Sequence, residues 1–82
     1  MMVVSIDFHG TQRSLTRTHS IHMPITETSK VMDALEYVRR QYPGLTLDER
    51  TVLVTVNHQL VPHHQALRPN DKIAFLPPIG GG

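Results

Sequence analysis

Within residues 29–42 the apolar positions of this chain change their period, and that change limits the architecture more than any other stretch does. Val31, Leu35, Val38 and Tyr42 recur at spacings of four, three and four, with Ala34 beside them, so they share one face of a helix. Lys30, Asp33, Glu36, Arg39 and Arg40 fall mostly on the other side, where solvent is expected. Thr28 or Ser29 offers an N-cap hydroxyl, Asp33 and Glu36 sit toward the positive end of the helix dipole, and the Arg39-Arg40 pair sits toward the negative end. Pro43 disfavours helical geometry at Tyr42 and Gly44 tolerates a left-handed exit, which marks the stop.

Before and after this helix the period is two. Val4, Ile6 and Phe8 alternate with Ser5 and Asp7, as in a strand with one buried face. Gly10 and its polar neighbours break the pattern, and alternation resumes over 20–25 with Ile21, Met23 and Ile25 on one side, which predicts a hairpin with a long loop. Residues 45–50 read as a polar connector. In the next segment, 51–57, Val52, Val54 and Val56 alternate with Thr51, Leu53, Thr55 and Asn57, the strongest strand pattern in the chain. Residues 59–61 fit a short edge strand stopped by Pro62, 67–71 a turn, and 72–76 a last strand with Ile73 and Phe75 facing inward. The order strand, strand, helix, strand, short strand, strand is α+β, with the helix a crossover covering one face of the sheet.

Composition narrows the function. A chain of 82 residues is one small domain. It buries roughly 60% of its unfolded surface, too little for a deep cleft between lobes, so a binding or carrier module is expected. With no cysteine, disulfides, thiolate zinc sites and a thiol nucleophile are excluded from this chain. The charge of +1 comes from scattered basic residues, a poor footprint for nucleic acid. Asp7 interrupts the apolar start, so neither a secretory signal nor a membrane span is expected, and a cytoplasmic location is. His19 and His22 point to opposite faces of a strand and His63-His64 are loop neighbours, so the histidines read as solvated and no metal site is expected.

The ending Pro77-Pro78-Ile79-Gly80-Gly81-Gly82 is the segment folding explains least. Two prolines favour an extended path away from the sheet, and three glycines have no side chain to bury. The expected division is therefore a folded domain over 1–76 and a flexible tail over 77–82. Six residues reach about 20 Å, far enough to place the Gly82 carboxylate inside another protein, whose walls approach bare glycine closely. An ionised carboxylate is a poor acyl donor, so chemistry at Gly82 needs activation, and no phosphate-cradling loop exists here to supply it.

The stretch Val54-Thr55-Val56-Asn57, the turn at 67–71, and the segment Lys72-Ile73-Ala74-Phe75-Leu76-Pro77-Pro78-Ile79-Gly80-Gly81-Gly82 resemble the C-terminal half of the MoaD/ThiS sulfur-carrier family. Pro69-Asn70-Asp71 stands where that family often has an acidic, glycine-containing turn. The resemblance implies a ubiquitin-like β-grasp fold: a mixed sheet of four to five strands with one main helix packed on one face. It also implies that an E1-like adenylyltransferase, using ATP, activates Gly82, and that a thiocarboxylate follows. The chain itself would be a carrier rather than an enzyme and would hold no cofactor.

In the MoaD branch a MoaE-like large subunit receives the inserted Pro77, Pro78, Ile79, Gly80 and Gly81, and sulfur goes to the molybdopterin precursor. In the ThiS branch it goes to the thiazole of thiamine. Phe75-Leu76-Pro77-Pro78 and the length resemble MoaD more. Alternation puts Leu53 and Leu76 on the sheet face away from the helix, so the expected docking set is Leu53, Phe75 and Leu76. Two other functions fit the same ending: a ubiquitin-like modifier joined to lysines through Gly82, and a passive binding module.

Overall fold

The computed structural model describes residues 2–76. Five strands form one mixed sheet in the order β2-β1-β5-β3-β4: β1 (Val3–Asp7), β2 (Ser20–Pro24), β3 (Leu53–Val56), β4 (Gln59–Val61) and β5 (Lys72–Leu76). Two helices interrupt them, α1 (Thr11–Thr16) and α2 (Val31–Gln41). β5 enters the middle, parallel to β1 and antiparallel to β3.

The inner face is built by the alternation. Across it, Val4 pairs with Met23, Ile6 with Ile21 and Ile73, Val56 with Ile73, and Val54 with Phe75. Val31, Ala34, Leu35 and Val38 of α2 close over this layer, all buried. Fully burying a Val, Leu, Ile or Phe contributes about 1.5–3 kcal/mol, so this layer is the main source of stability. Phe8 completes it, meeting the edge of Tyr42 at 5.5 Å between ring centres.

The N-terminus of α2 is capped differently from expectation. Neither Thr28 nor Ser29 caps it; the Ser29 hydroxyl accepts the Thr26 amide in the preceding turn. Lys30 stands at the N-cap with extended backbone, and the Asp33 carboxylate accepts its N–H at 2.8 Å. The free amides of Val31 and Met32 donate to the carbonyls of Gln65 and His63 at 2.9 Å each. A distant loop therefore does what a local hydroxyl was expected to do.

Two connections also differ. The break between β1 and β2 holds a short helix, α1, instead of an open loop. In the 45–50 connector, Leu45 and Leu47 are buried in the core. Arg39 reaches back to that segment, and its Nε and Nη2 donate to the Leu47 carbonyl at 3.1 and 2.9 Å, so it is not a solvated partner of Arg40. Arg40 pairs loosely with Glu36 on the surface, at 3.5 Å.

The turns use left-handed backbone where the sequence offers asparagine. Asn57 and His58 have φ of 53° and 70°, the pattern of a two-residue hairpin turn between β3 and β4. Asn70, at φ 71°, fills the position a glycine would take before β5. Asn57 and Asp71 then join the two turns: Asn57 Nδ2 donates to Asp71 Oδ1 at 2.9 Å, and Lys72 N–H donates to Asn57 Oδ1 at 3.0 Å. The start of β5 is thereby pinned.

Candidate functional site

The expected site lies where β5 ends. Gly82 and the insertion segment Pro77, Pro78, Ile79, Gly80 and Gly81 lie outside the described residues, as does the 77–82 tail assignment. What the structure positions is the strand that leads to them and the surface beside it.

Leu53 and Leu76 face each other across the β3–β5 ladder and are 45% and 37% exposed. The same register places Leu60 of β4 opposite Thr55, on the face shared with Leu53, and 63% exposed. Ala74, Thr55, Leu53, Leu60 and Leu76 thus occupy the outer face of the β5–β3–β4 half of the sheet. Toward β1 and β2 that face turns polar, with Asp7, Ser5 and Ser20 in the neighbouring positions. An apolar patch beside a polar field is the arrangement of a docking surface.

Phe75 does not belong to it. It is paired with Val54 on the inner face and is 1% exposed, so it packs in the core and offers no side chain to a partner. Strand alternation forces this: with Leu76 and Ala74 outward, Phe75 points in. Leu60 was not among the expected docking residues, since a three-residue strand shows no readable period; only its register with Thr55 assigns its face.

The end of β5 has a second, unforeseen support. Pairing with β1 stops at Asp7–Ala74 because the chain turns away after Phe8. Gly10, at φ 55° and ψ −128°, makes that turn, and the Gln12 amide donates to the His9 carbonyl at 3.1 Å. This backbone conformation is one that glycine adopts freely and other residues rarely do. The turn sets α1 over the sheet end, where buried Gln12 donates from Nε2 to the Phe75 carbonyl at 2.9 Å. A side chain replaces the strand neighbour that β1 no longer provides.

The Asp48–Arg50 pair lies on the surface of the 45–50 connector, whose Leu45 and Leu47 are buried. There the Arg50 guanidinium and amide hydrogen bonds hold the Asp48 carboxyl below its ordinary value, and Arg50 is raised in turn. His63 is half-buried, with Nε2 at 3.1 Å from the Val52 carbonyl, so it is a structural group and not a fully solvated one. Among the described residues no three His, Asp or Glu gather as a metal site, and no helix is long and apolar enough to cross a membrane. Two surface depressions of about 320 and 330 Å³ lie at the far end of the sheet, around Lys72 and around Asn57 and Asp71, away from Leu76.

A mixed five-stranded sheet clasping one long helix, with the C-terminal strand in its centre, defines a ubiquitin-like β-grasp protein. Solved structures share the fold. Molybdopterin converting factor subunit 1, as a Pyrococcus furiosus protein is assigned, superposes with a TM-score of 0.80 at 20% identity, over 96% of this chain and 100% of that one. Small archaeal modifier protein 1 from Methanosarcina acetivorans does so with a TM-score of 0.79 at 23% identity, over 100% of this chain and 98% of that one. In sequence, the molybdopterin synthase sulfur carrier subunit of Haemophilus influenzae is 42% identical over 39 residues, which span 48% of each chain. The model of the ThiS family matches residues 6–82, and the chain belongs to that family of ubiquitin-like sulfur carriers.

Proposed function

We propose that this chain carries sulfur on Gly82 and delivers it as the small subunit of a molybdopterin synthase-like complex. The observation that carries the proposal is the family match itself, which extends over residues 6–82 and so takes in the glycines at 80–82. The 42% identity to a molybdopterin synthase sulfur carrier subunit favours the molybdopterin branch over thiazole synthesis, although it spans about half of that protein.

The chemistry follows from what the chain lacks. The Gly82 carboxylate is anionic near neutral pH, and oxide is a poor leaving group. An E1-like adenylyltransferase with ATP would let a carboxylate oxygen attack the α-phosphorus and expel pyrophosphate. A sulfide-equivalent nucleophile then attacks the acyl carbon and expels AMP, leaving a thiocarboxylate. On a MoaE-like large subunit the thiocarboxylate sulfur would attack an electrophilic acceptor carbon and displace an oxygen leaving group. Water would then cleave the resulting thioester, leaving the sulfur on the acceptor and a carboxylate on Gly82. The carrier contributes position, and the acid–base groups belong to its partners.

Leu53, Leu76 and Leu60 supply the docking surface in this proposal. Covering what each still exposes is worth on the order of 1 kcal/mol, enough together to select a partner and weak enough to release it.

A second reading is favoured by the likeness to a small archaeal modifier protein: the same adenylate could be captured by a lysine of a target protein. Intact-mass measurement separates the two. Incubation with the adenylyltransferase, ATP and a sulfide source should exchange one oxygen for sulfur, and deletion of Gly82 should abolish the exchange without changing the melting temperature. High-mass adducts in place of the exchange would overturn the carrier proposal in favour of the modifier.

A further inference from the structure

We propose that Gln12 is a positioning residue: its side-chain amide latches the end of β5 and sets the line along which the chain leaves the sheet toward Gly82. The inference rests on the sulfur-carrier function proposed above and names a part of the molecule that function has not so far required.

The geometry is specific. On the β3 side, β5 is held through the Leu53–Leu76 pair. On the β1 side, strand pairing ends at Ala74, and the next carbonyl bonded on that side, that of Phe75, is taken by Gln12 Nε2 at 2.9 Å from a residue 63 positions away. Gln12 is 6% exposed, so water does not compete for this bond. Leu76 is followed by Pro77 and Pro78, which have no amide hydrogen, so neither can extend backbone pairing as a donor. The last backbone group fixed from both sides therefore lies beside Gln12.

The same side chain is costly to keep. Gln12 Oε1 is buried with no hydrogen-bond partner among the described residues. The alternative amide orientation would set Oε1 against the Phe75 carbonyl, two acceptors facing each other, so the orphan cannot be removed by flipping. A buried acceptor without a partner lowers stability, and methionine would fill the space without it. A glutamine held there despite that penalty fits a role set by what Nε2 grips.

Gln12→Met removes the donor and the Oε1 orphan at nearly constant volume and leaves the Phe75 carbonyl unpaired, so the two buried acceptors offset each other and positioning is separated from folding. Because one unpaired acceptor, Gln12 Oε1, is exchanged for another, the Phe75 carbonyl, the melting temperature of Gln12→Met should stay close to that of the wild type. Hydrogen exchange of the Leu76 amide should speed up about tenfold, as expected for a frayed strand end, while the Ile73 amide is unchanged. In single-turnover loading with adenylyltransferase, ATP and sulfide, the rate at saturating carrier should fall about tenfold, the scale of a modest misplacement of the reacting end. The half-saturating concentration should hold, because the Leu53–Leu60–Leu76 face is intact. Gln12→Glu, titrated from neutral to acid pH, should regain loading relative to wild type as its carboxyl takes up a proton and becomes a donor to Phe75 O.

Unchanged exchange at Leu76, or a wild-type loading rate in Gln12→Met, overturns the latch. A wild-type chain that accepts no sulfur while Leu76 exchange still responds to Gln12→Met overturns the proposed function instead, and leaves the latch as a feature of the fold alone.

Discussion

On the inner face of the sheet, Val4, Ile6, Ile73, Val54 and Phe75 pack in the hydrophobic core with the apolar side chains of α2. On the outer face the same strands present Ser5, Asp7, Ala74 and Thr55, then three leucines at the β5–β3–β4 end. Both faces contain large apolar groups, but only the inner ones are already out of water. The difference teaches where each kind of energy is used: Phe75 has been buried by folding, whereas Leu53, Leu60 and Leu76 leave apolar surface uncovered, which the proposed function assigns to a partner. Adjacent residues in one strand, Phe75 and Leu76, fall on opposite sides of that division.

The comparison breaks most visibly at Phe75. Phe75→Ala should cost about 3–5 kcal/mol, measured by urea unfolding, and would leave the fold marginal. Leu60→Ser, a change of similar chemistry on the other face, should stay within about 1 kcal/mol of wild type. Equal losses would mean that the faces are not distinct. Next in size is the turn that sets α1: Gly10→Ala should cost about 1–3 kcal/mol from backbone strain alone, because a Cβ there meets nothing within 4 Å. On the outer face, Leu53→Ser or Leu60→Ser should each raise the half-saturating carrier concentration in loading or transfer assays about tenfold, with the rate at saturation kept. A loss of maximal rate with unchanged saturation would move the docking surface elsewhere.

The smallest effect concerns Asp48. Its carboxyl is held low by the hydrogen bonds from Arg50, so the pairing favours the fold above the unfolded-state value and is lost as pH falls through the folded one. The carboxylate sits at the surface where solvent screens the pairing, so the melting temperature should scarcely register the change. An NMR titration should find Asp48 below its ordinary value in the wild type and moved only part of the way back in Arg50→Ala, whose backbone amide still donates to the carboxylate.

Much of this was legible in the chain. The spacing of Val31, Leu35 and Val38 located α2, alternation located four strands and put Leu53 and Leu76 outward, and the stop at Pro62 marked the short β4. Where the sequence failed, periodicity had nothing to report. In α1 the one aliphatic residue, Leu15, is exposed, while the buried positions are Gln12 and Thr16, so no apolar stripe announces a helix. Leu45 and Leu47 hide in a segment that Asp48, Glu49 and Arg50 make look solvated. The α2 cap came from carbonyls at 63 and 65, a long-range partnership that no local motif encodes. Phe75 was expected in the docking set although its own alternation pointed inward; the structure sides with the alternation.

The central claim is that sulfur rides on Gly82 while the leucine face docks. Tandem mass spectrometry of the carrier after loading tests it most directly, because fragmentation reads the position of the added sulfur along the chain. The account predicts that only fragments containing Gly82 carry it. Sulfur found on internal residues, or a chain that leaves a complete loading mixture unmodified, would contradict it.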